Sequence, residues 1–314
     1  MRICTLTLNP ALDRSMIFDT FTAGELNRAI SSVTTVGGKG INVSRALKVL
    51  GTDATAYGFS GGDNGEAMKR MLKQEGVSFN FTQTDAPTRM NIKITDRDGN
   101  ATEASESGGP VTKEETEKLF ENLDTLFCSD KKPDYFVISG SIPKGQDRDI
   151  YKKIIEKAAE KDIKCVLDCD GDALKYGVEA MPFLIKPNKK ELEQYSGHYF
   201  ANDNEMISFA CNLSEKFRMK IIITLGADGA YFVDKDTVYK TDAPKVTMKG
   251  FTGAGDSFLA SFLDTYLKTG DTETALRTAT SFSAAKVELE GTLLPDYQMG
   301  IKYKDSINCV KIRG

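Results

Sequence analysis

From residue 112 to residue 287, short β-branched runs alternate with amphipathic stretches of helical length. This rhythm constrains the fold more than any other feature of the chain. It predicts helices over 113–127, 148–160, 189–195 and 204–217. Between them it predicts strands at Tyr135–Ser139, Lys164–Asp168, Phe183–Lys186 and Lys220–Leu225. Short strands Ala230–Val233 and Thr237–Tyr239 follow, and helices over 254–267 and 272–287 close the pattern. Strands joined through helices run parallel, because the helix carries the chain back across one face of the sheet. The expectation is an α/β fold with a mostly parallel sheet covered on both faces. Ligands of such sheets bind beyond the carboxyl ends of the strands. Those ends are Asn9-Pro10, Ser139-Gly140-Ser141, Lys186-Pro187-Asn188 and Gly226.

The N-terminal third is mixed. Ile3–Leu8 alternates like a strand, and Ile30–Val36 is a β-branched run closed by Gly37-Gly38. A helix over 41–50 would bury Val43, Ala46, Leu47 and Leu50 on one face. A strand Thr55–Ser60 and a helix Gly65–Gln74 come next. Residues 88–105 break the rhythm with two alternating runs around Asp98-Gly99-Asn100, a hairpin signal. They are expected to form a small sheet outside the main one, paired with strand 30–36.

Of the 314 residues, 40% are apolar, ample for a large core. The net charge is 41 − 45 = −4, which argues against a nucleic-acid partner held by clustered cations. No apolar run approaches the roughly 20 residues of a membrane span. Met1–Pro10 reads as a strand rather than a leader, since Asp13 and Arg14 interrupt any apolar core. A cytoplasmic protein without a membrane partner is expected. The six cysteines, at 4, 128, 165, 169, 211 and 309, form no C-x-x-C pair and read as core thiols. His198 is the only histidine, which disfavours Ser/His or Cys/His chemistry.

Four motifs carry chemistry. Gly250-Phe-Thr-Gly-Ala-Gly-Asp-Ser257 precedes an apolar helix. Successive N–H groups at such an entrance bind anions. Asp256 in the first turn can take a hydroxyl proton, and the positive helix end should keep it ionised. The same spacing also reads as a capped helix. Gly37-Gly38-Lys39-Gly40-Ile41-Asn42 permits close backbone approach to a ligand, or is a plain strand-to-helix turn. It is not a Walker A loop, because Gly40 follows Lys39. Lys186-Pro-Asn-Lys-Lys-Glu191 sets Asn188 and Glu191 three apart. That spacing suits Mg²⁺ held through water, and equally a capping box. Asp13 follows the first strand, and Arg89 and Asn91 open the suspected hairpin. Aspartate suits sugar hydroxyls and arginine suits a phosphate.

Together, in this order, these motifs resemble the PfkB (ribokinase-like) carbohydrate kinase family. The match runs along the whole chain: TLTLNPALD, GGKGIN, TRMNIKI, ISGSIPKG, LDCDGDAL, IKPNKKELE, ITLGADGA and GFTGAGDSF. Gly250-Phe251 departs from the β-branched pair that relatives often carry, while Gly253, Gly255 and Asp256 are intact. The resemblance implies one ribokinase-like domain over 1–314, a three-layer α/β/α sandwich with a small β lid built from about 12–36 and 88–106. It implies a homodimer through that lid. Asp256 would be the catalytic base, and Gly253, Ala254 and Gly255 the anion hole. Asp13, Gly38, Lys39 and Asn42 would hold the sugar, with Arg89 and Ser139 near its phosphate. Lys186, Asn188 and Glu191 would face ATP and Mg²⁺, the metal being held by Asn188 and Glu191 through water. Thr224, Gly226 and Gly229 would line the nucleotide cleft, with Ser283 at the adenine.

TLNPALD, TR-N-KI and SGSIPKG resemble the phosphosugar branch. Its substrates are fructose 1-phosphate, tagatose 6-phosphate and fructose 6-phosphate. TR-N-KI resembles the fructose 1-phosphate kinases, whereas ISGSIPKG and LDCDGDAL resemble the tagatose 6-phosphate kinases; fructose 1-phosphate is the preferred reading. A fructofuranose carries hydroxymethyl groups on both sides of the ring oxygen, so 1- and 6-phosphates fit one site in opposite orientations. A ribose or nucleoside kinase, or a non-catalytic sugar-phosphate-binding paralogue, would be the alternatives.

Overall fold

The computed structural model describes residues 2–250 and 252–314; Phe251 of the Gly250-Phe251 departure lies outside them. The chain opens with β1 (Ile3–Thr7), β2 (Ala11–Phe18), β3 (Ser31–Gly37), α1 (Lys39–Val49), β4 (Ala54–Gly61), α2 (Gly62–Gln74) and β5 (Ser78–Thr84). The hairpin is β6 (Arg89–Asp96) and β7 (Ala101–Ser105). Then come α3 (Lys113–Phe127), β8 (Tyr135–Ser139), α4 (Ile150–Ala159), β9 (Lys164–Asp168), α5 (Gly171–Glu179) and β10 (Leu184–Ile185). The rest is α6 (Lys189–Ser196), α7 (Asp203–Phe217), β11 (Lys220–Thr224), β12 (Ala230–Asp234), β13 (Thr237–Thr241), α8 (Ala254–Thr269), α9 (Thr272–Val287), α10 (Tyr297–Ile301) and β14 (Cys309–Arg313).

Ten strands form one sheet, ordered β14-β13-β12-β11-β10-β9-β8-β1-β4-β5. From β5 to β11 the pairs are parallel, and β12, β13 and β14 extend the edge antiparallel. Residue alternation along each strand builds the layers. Cys4, Phe136, Ile138, Cys165, Leu167, Ile221 and Ile223 face one core, which α3, α4, α5 and α7 complete. Ile3, Val137, Val166, Leu184 and Ile222 face the other, which α1, α8 and α9 complete. The fold is therefore the expected ribokinase-like α/β/α sandwich. Five cysteines are buried as expected, but Cys128 is exposed at the end of α3 rather than in a core.

The second sheet has the order β3-β2-β6-β7. It is a small sheet drawn from the two segments expected for a lid, and its pairing differs from the expected one. The hairpin does not pair with strand 30–36. β2 lies between them, antiparallel to β3 and parallel to β6, in a register that sets Asp13 opposite both Thr35 and Asn91. The reason is that β2 continues directly from the carboxyl end of β1. The lid thereby hangs from the end of the main sheet where ligands are expected.

Candidate active site

One cleft of about 1150 Å³ lies beyond the strand ends, between the lid and α8. Every site residue named above lines it except Ser139. Ser139 is fully buried and donates to the Asp168 carbonyl at 3.1 Å, so Gly140 and Ser141 reach the cleft in its place. His198 lies outside the lining, half-exposed beside Glu205.

The capped-helix reading of Asp256 fails, since the N-cap of α8 is Gly253. Gly253 has φ +83°, a conformation other residues adopt at a cost. The turn leaves the first N–H groups of α8 free toward the cleft. Asp256 is buried in the first helical turn, and its Oδ2 accepts from Asn42 Nδ2 at 2.8 Å. Burial pushes its carboxyl from 3.8 up to about 6, assisted by the negative charge of Asp168 and opposed by Asn42, Lys39 and Lys186. This reverses the expected effect of the helix end, because desolvation of a buried carboxylate outweighs a partial dipole charge. At pH above 6 the group is still ionised, but it is a far better proton acceptor than an ordinary aspartate.

Residues that spacing did not single out hold this centre. Asp168 ends β9 and is almost wholly buried. It pairs with Lys186 at 3.2 Å and Lys39 at 3.5 Å. Burial raises its pKa, but the two lysines together hold it below the usual carboxylate value. Lys39 is raised in turn, chiefly by Asp168. A Cβ on Gly255 would stand 3.3 Å from the Lys186 ammonium, so that cation lies against the Gly253–Gly255 turn. Arg45 grips Glu75 with two hydrogen bonds, at 2.6 and 2.8 Å, and points Nη1 at the Asn42 carbonyl oxygen, 3.4 Å away. That contact fixes which end of the Asn42 amide meets Asp256.

On the lid, Asp13 is buried and accepts from Asn91 at 2.8 Å and Lys93 at 3.1 Å. A Cβ on Gly37 would stand 2.7 Å from the Asp13 carboxyl carbon, so only glycine leaves room for this side chain. Arg89 donates to Asn91 Oδ1 at 3.1 Å and the Glu106 carbonyl at 2.9 Å. At the other end, Asn188 and Glu191 make the reciprocal capping box of α6, at 2.8 and 2.9 Å. Thr224 bridges to Asn188 beside them. The segment Ala243–Met248, which carried no motif, also lines this end.

The comparisons with known proteins agree with this geometry. A 1-phosphofructokinase of Bacillus subtilis is 34% identical over 305 residues, 95% of this chain and 99% of that protein. A tagatose-6-phosphate kinase of Staphylococcus epidermidis is 33% identical, over 89% of this chain and 90% of that protein. Among solved structures, phosphofructokinase-2 of Escherichia coli in complex with substrates and products superposes with a TM-score of 0.91 at 28% identity, covering 98% of this chain and 99% of that one. A family model described as pfkB family carbohydrate kinase matches residues 6–298, from β1 to α10. A match of that extent, over a cleft that gathers the motif residues from both ends of the sequence, places the chain in the pfkB family of carbohydrate kinases.

Proposed function

We propose that the chain transfers the γ-phosphoryl group of ATP to the free hydroxymethyl group of a ketohexose monophosphate, with fructose 1-phosphate as the preferred acceptor and fructose 1,6-bisphosphate as product. One observation carries this reading. Asp256, with its raised proton affinity, sits at the anion turn, and Arg89 and Lys93 stand on the lid of the same cleft. A sugar spanning the two would have its phosphate on the lid cations and a hydroxyl at Asp256. Asp256 would take the hydroxyl proton as oxygen attacks, and the Gly253–Gly255 N–H groups would meet the phosphoryl oxygens. Asp13 would accept from ring hydroxyls. Lys186 would neutralise phosphate charge beside Gly255.

Mg²⁺ would enter with ATP. Asn188 Oδ1 and one oxygen of Glu191 are engaged in the capping box, and both residues line the cleft. Among the described residues no three metal-ligating side chains converge. This donor set fits an ion held through water and by nucleotide phosphates, as Mg²⁺ is in many kinases.

Thr224, Gly226, Gly229 and Ser283 would border the nucleotide. Among the described residues no helix is long and apolar enough to cross a membrane. ATP and sugar phosphates as substrates support a site of action in the cytoplasm. Leu26, Ile30 and Val33 are exposed on the lid, and they support a homodimer through it.

The Bacillus relative favours fructose 1-phosphate, and the Staphylococcus epidermidis relative supports tagatose 6-phosphate as the second reading. The test is ATP consumption over fructose 1-phosphate, fructose 6-phosphate, tagatose 6-phosphate, ribose and adenosine. The highest kcat/KM is expected for fructose 1-phosphate. A preference for ribose or adenosine would overturn the phosphosugar reading, and no turnover of any would favour a binding paralogue.

A further inference from the structure

Lys286 stands outside the machinery described so far. It lies one residue before the end of α9 and is fully buried. Its ammonium donates to the Gly291 carbonyl at 2.9 Å, and no carboxylate among the described residues forms an ion pair with it. The charged groups that bear on it are Lys93 of β6, Arg45 of α1 and Asp256 of α8, two like charges against one opposite. Burial first, and those cations second, push its pKa from 10.5 down to about 8. An ammonium buried without a counter-ion is among the most unfavourable groups a protein core can hold.

Its position relates it to the anion turn. A Cβ on Gly253 would stand 3.6 Å from Lys286 Cε, 3.8 Å from Asn42 Nδ2 and 4.0 Å from Asp256 Oδ2, so the end of the lysine stem lies against that turn beside the Asn42–Asp256 pair. The Val287 carbonyl accepts from the N–H groups of Lys249 and Gly250, at 2.7 and 3.1 Å. A Cβ on Gly250 would meet the Leu289 carbonyl oxygen at 3.0 Å. The end of α9 thus backs the segment that leads into the Gly253–Gly255 turn.

We propose that Lys286 is a positioning residue for phosphoryl transfer, a preplaced cation beside the Gly253–Gly255 turn that is unmatched until the transferred phosphoryl occupies it. The inference rests on the kinase reading above. Its logic is electrostatic. In a site shielded from water, a cation already in place stabilises developing negative charge without reorganisation. Part of the unfavourable burial is relieved only when the anion arrives, so the effect falls on turnover rather than on substrate capture.

The test compares Lys286→Met and Lys286→Arg with the wild type. For Lys286→Met, kcat should fall by about 10–100-fold while KM for ATP and for the sugar phosphate moves less than about threefold. Tm should stay level or rise, because an unmatched buried charge has gone. Lys286→Arg should recover part of kcat. A purely structural lysine would lower Tm and leave kcat per folded molecule unchanged; kcat within twofold of wild type overturns the proposal.

A second measurement needs no turnover and no change at Lys286. Near pH 8 the ammonium is only partly ionised, so binding ADP with aluminium fluoride should take up a fraction of a proton. Calorimetry in two buffers of different ionisation enthalpy reads this, and Asp256→Asn removes the carboxylate's share. No uptake in Asp256→Asn overturns the proposal even if the acceptor sugar has been misidentified. Failure of the substrate panel with proton uptake intact refutes the choice of acceptor and leaves the charge at the turn standing.

Discussion

Replacing Asp256 by asparagine separates the two things its position does. The carboxyl's affinity for a proton is raised from 3.8 to about 6 in the fold, chiefly by burial. Between those values the folded chain binds more protons than the unfolded one. Folding stability attached to this group is therefore fully present below pH 4 and is lost as pH rises through 6. At 1.36 kcal/mol per unit, the ionised carboxylate costs about 3 kcal/mol at neutral pH. Asparagine is isosteric, carries no charge and can still accept from Asn42 Nδ2. With an unfolding entropy of about 2 cal/mol/K per residue, a chain of 314 residues shifts by roughly 1.5 °C per kcal/mol. Asp256→Asn should raise Tm by about 4 °C at pH 8, and by about half as much at pH 5.

Turnover should move the other way. Loss of a general base costs roughly 10²–10⁴ in kcat, and the lower end applies if the transition state is dissociative. Wild-type kcat should decline as pH falls through about 6, while the residual rate of the variant should lack that limb. Coupled detection of ADP release and scanning calorimetry at two pH values supply the data. Near-normal turnover would refute the base assignment. A variant less stable than wild type at pH 8 would refute the burial argument, whatever its turnover.

The strand-helix rhythm located most of the fold because parallel strands buried on both faces are continuous apolar runs. It failed where that signal is weak. β10 is only Leu184–Ile185, shorter than the expected Phe183–Lys186, since the chain turns at Pro187. α5 was not foreseen, because Gly171 and Gly177 lower helix propensity. Gly177 is there for packing: a Cβ would meet Leu167 Cδ2 at 2.5 Å. β5, at the edge of the main sheet, and β14, on the opposite edge, were also missed. At the site, glycines near helix starts mark the Gly253–Gly255 turn, whereas Asp168, although it closes a strand the rhythm locates, is not among the strand ends that the pattern singles out. The shift of Asp256 was illegible, for it depends on burial and on Asp168, far away in sequence. Lys286 and Arg45 sit on helix faces where periodicity predicts apolar or neutral neighbours, and only packing reveals their charges.

Three further expectations follow from the same geometry. Asp168→Asn would leave Lys39 and Lys186 without their shared counter-charge and should cost about 3 kcal/mol at neutral pH. Because the Asp168 pKa is depressed, its stabilisation is lost as pH falls below the ordinary carboxylate value, so urea midpoints of wild type and variant should converge on acidification; parallel curves would contradict this. Sedimentation at micromolar concentration should report a dimer, and Ile30→Glu with Val33→Glu should weaken it; a monomer with and without sugar phosphate would remove the lid from consideration as an interface. Arg89→Ala should raise KM for the sugar phosphate by about 10–100-fold, equivalent to roughly 1.5–3 kcal/mol for a hydrogen bond to a charged group. Lysine at 89 should restore only part, since it lacks the two-pronged guanidinium. Arg89 also braces Asn91 and the Glu106 carbonyl, so a lid merely loosened by the substitution would raise KM for ribose as much as for a phosphosugar. An unchanged KM for every sugar phosphate would mean that the arginine only braces the lid, and Lys93 would then be the remaining lid cation able to receive the phosphate.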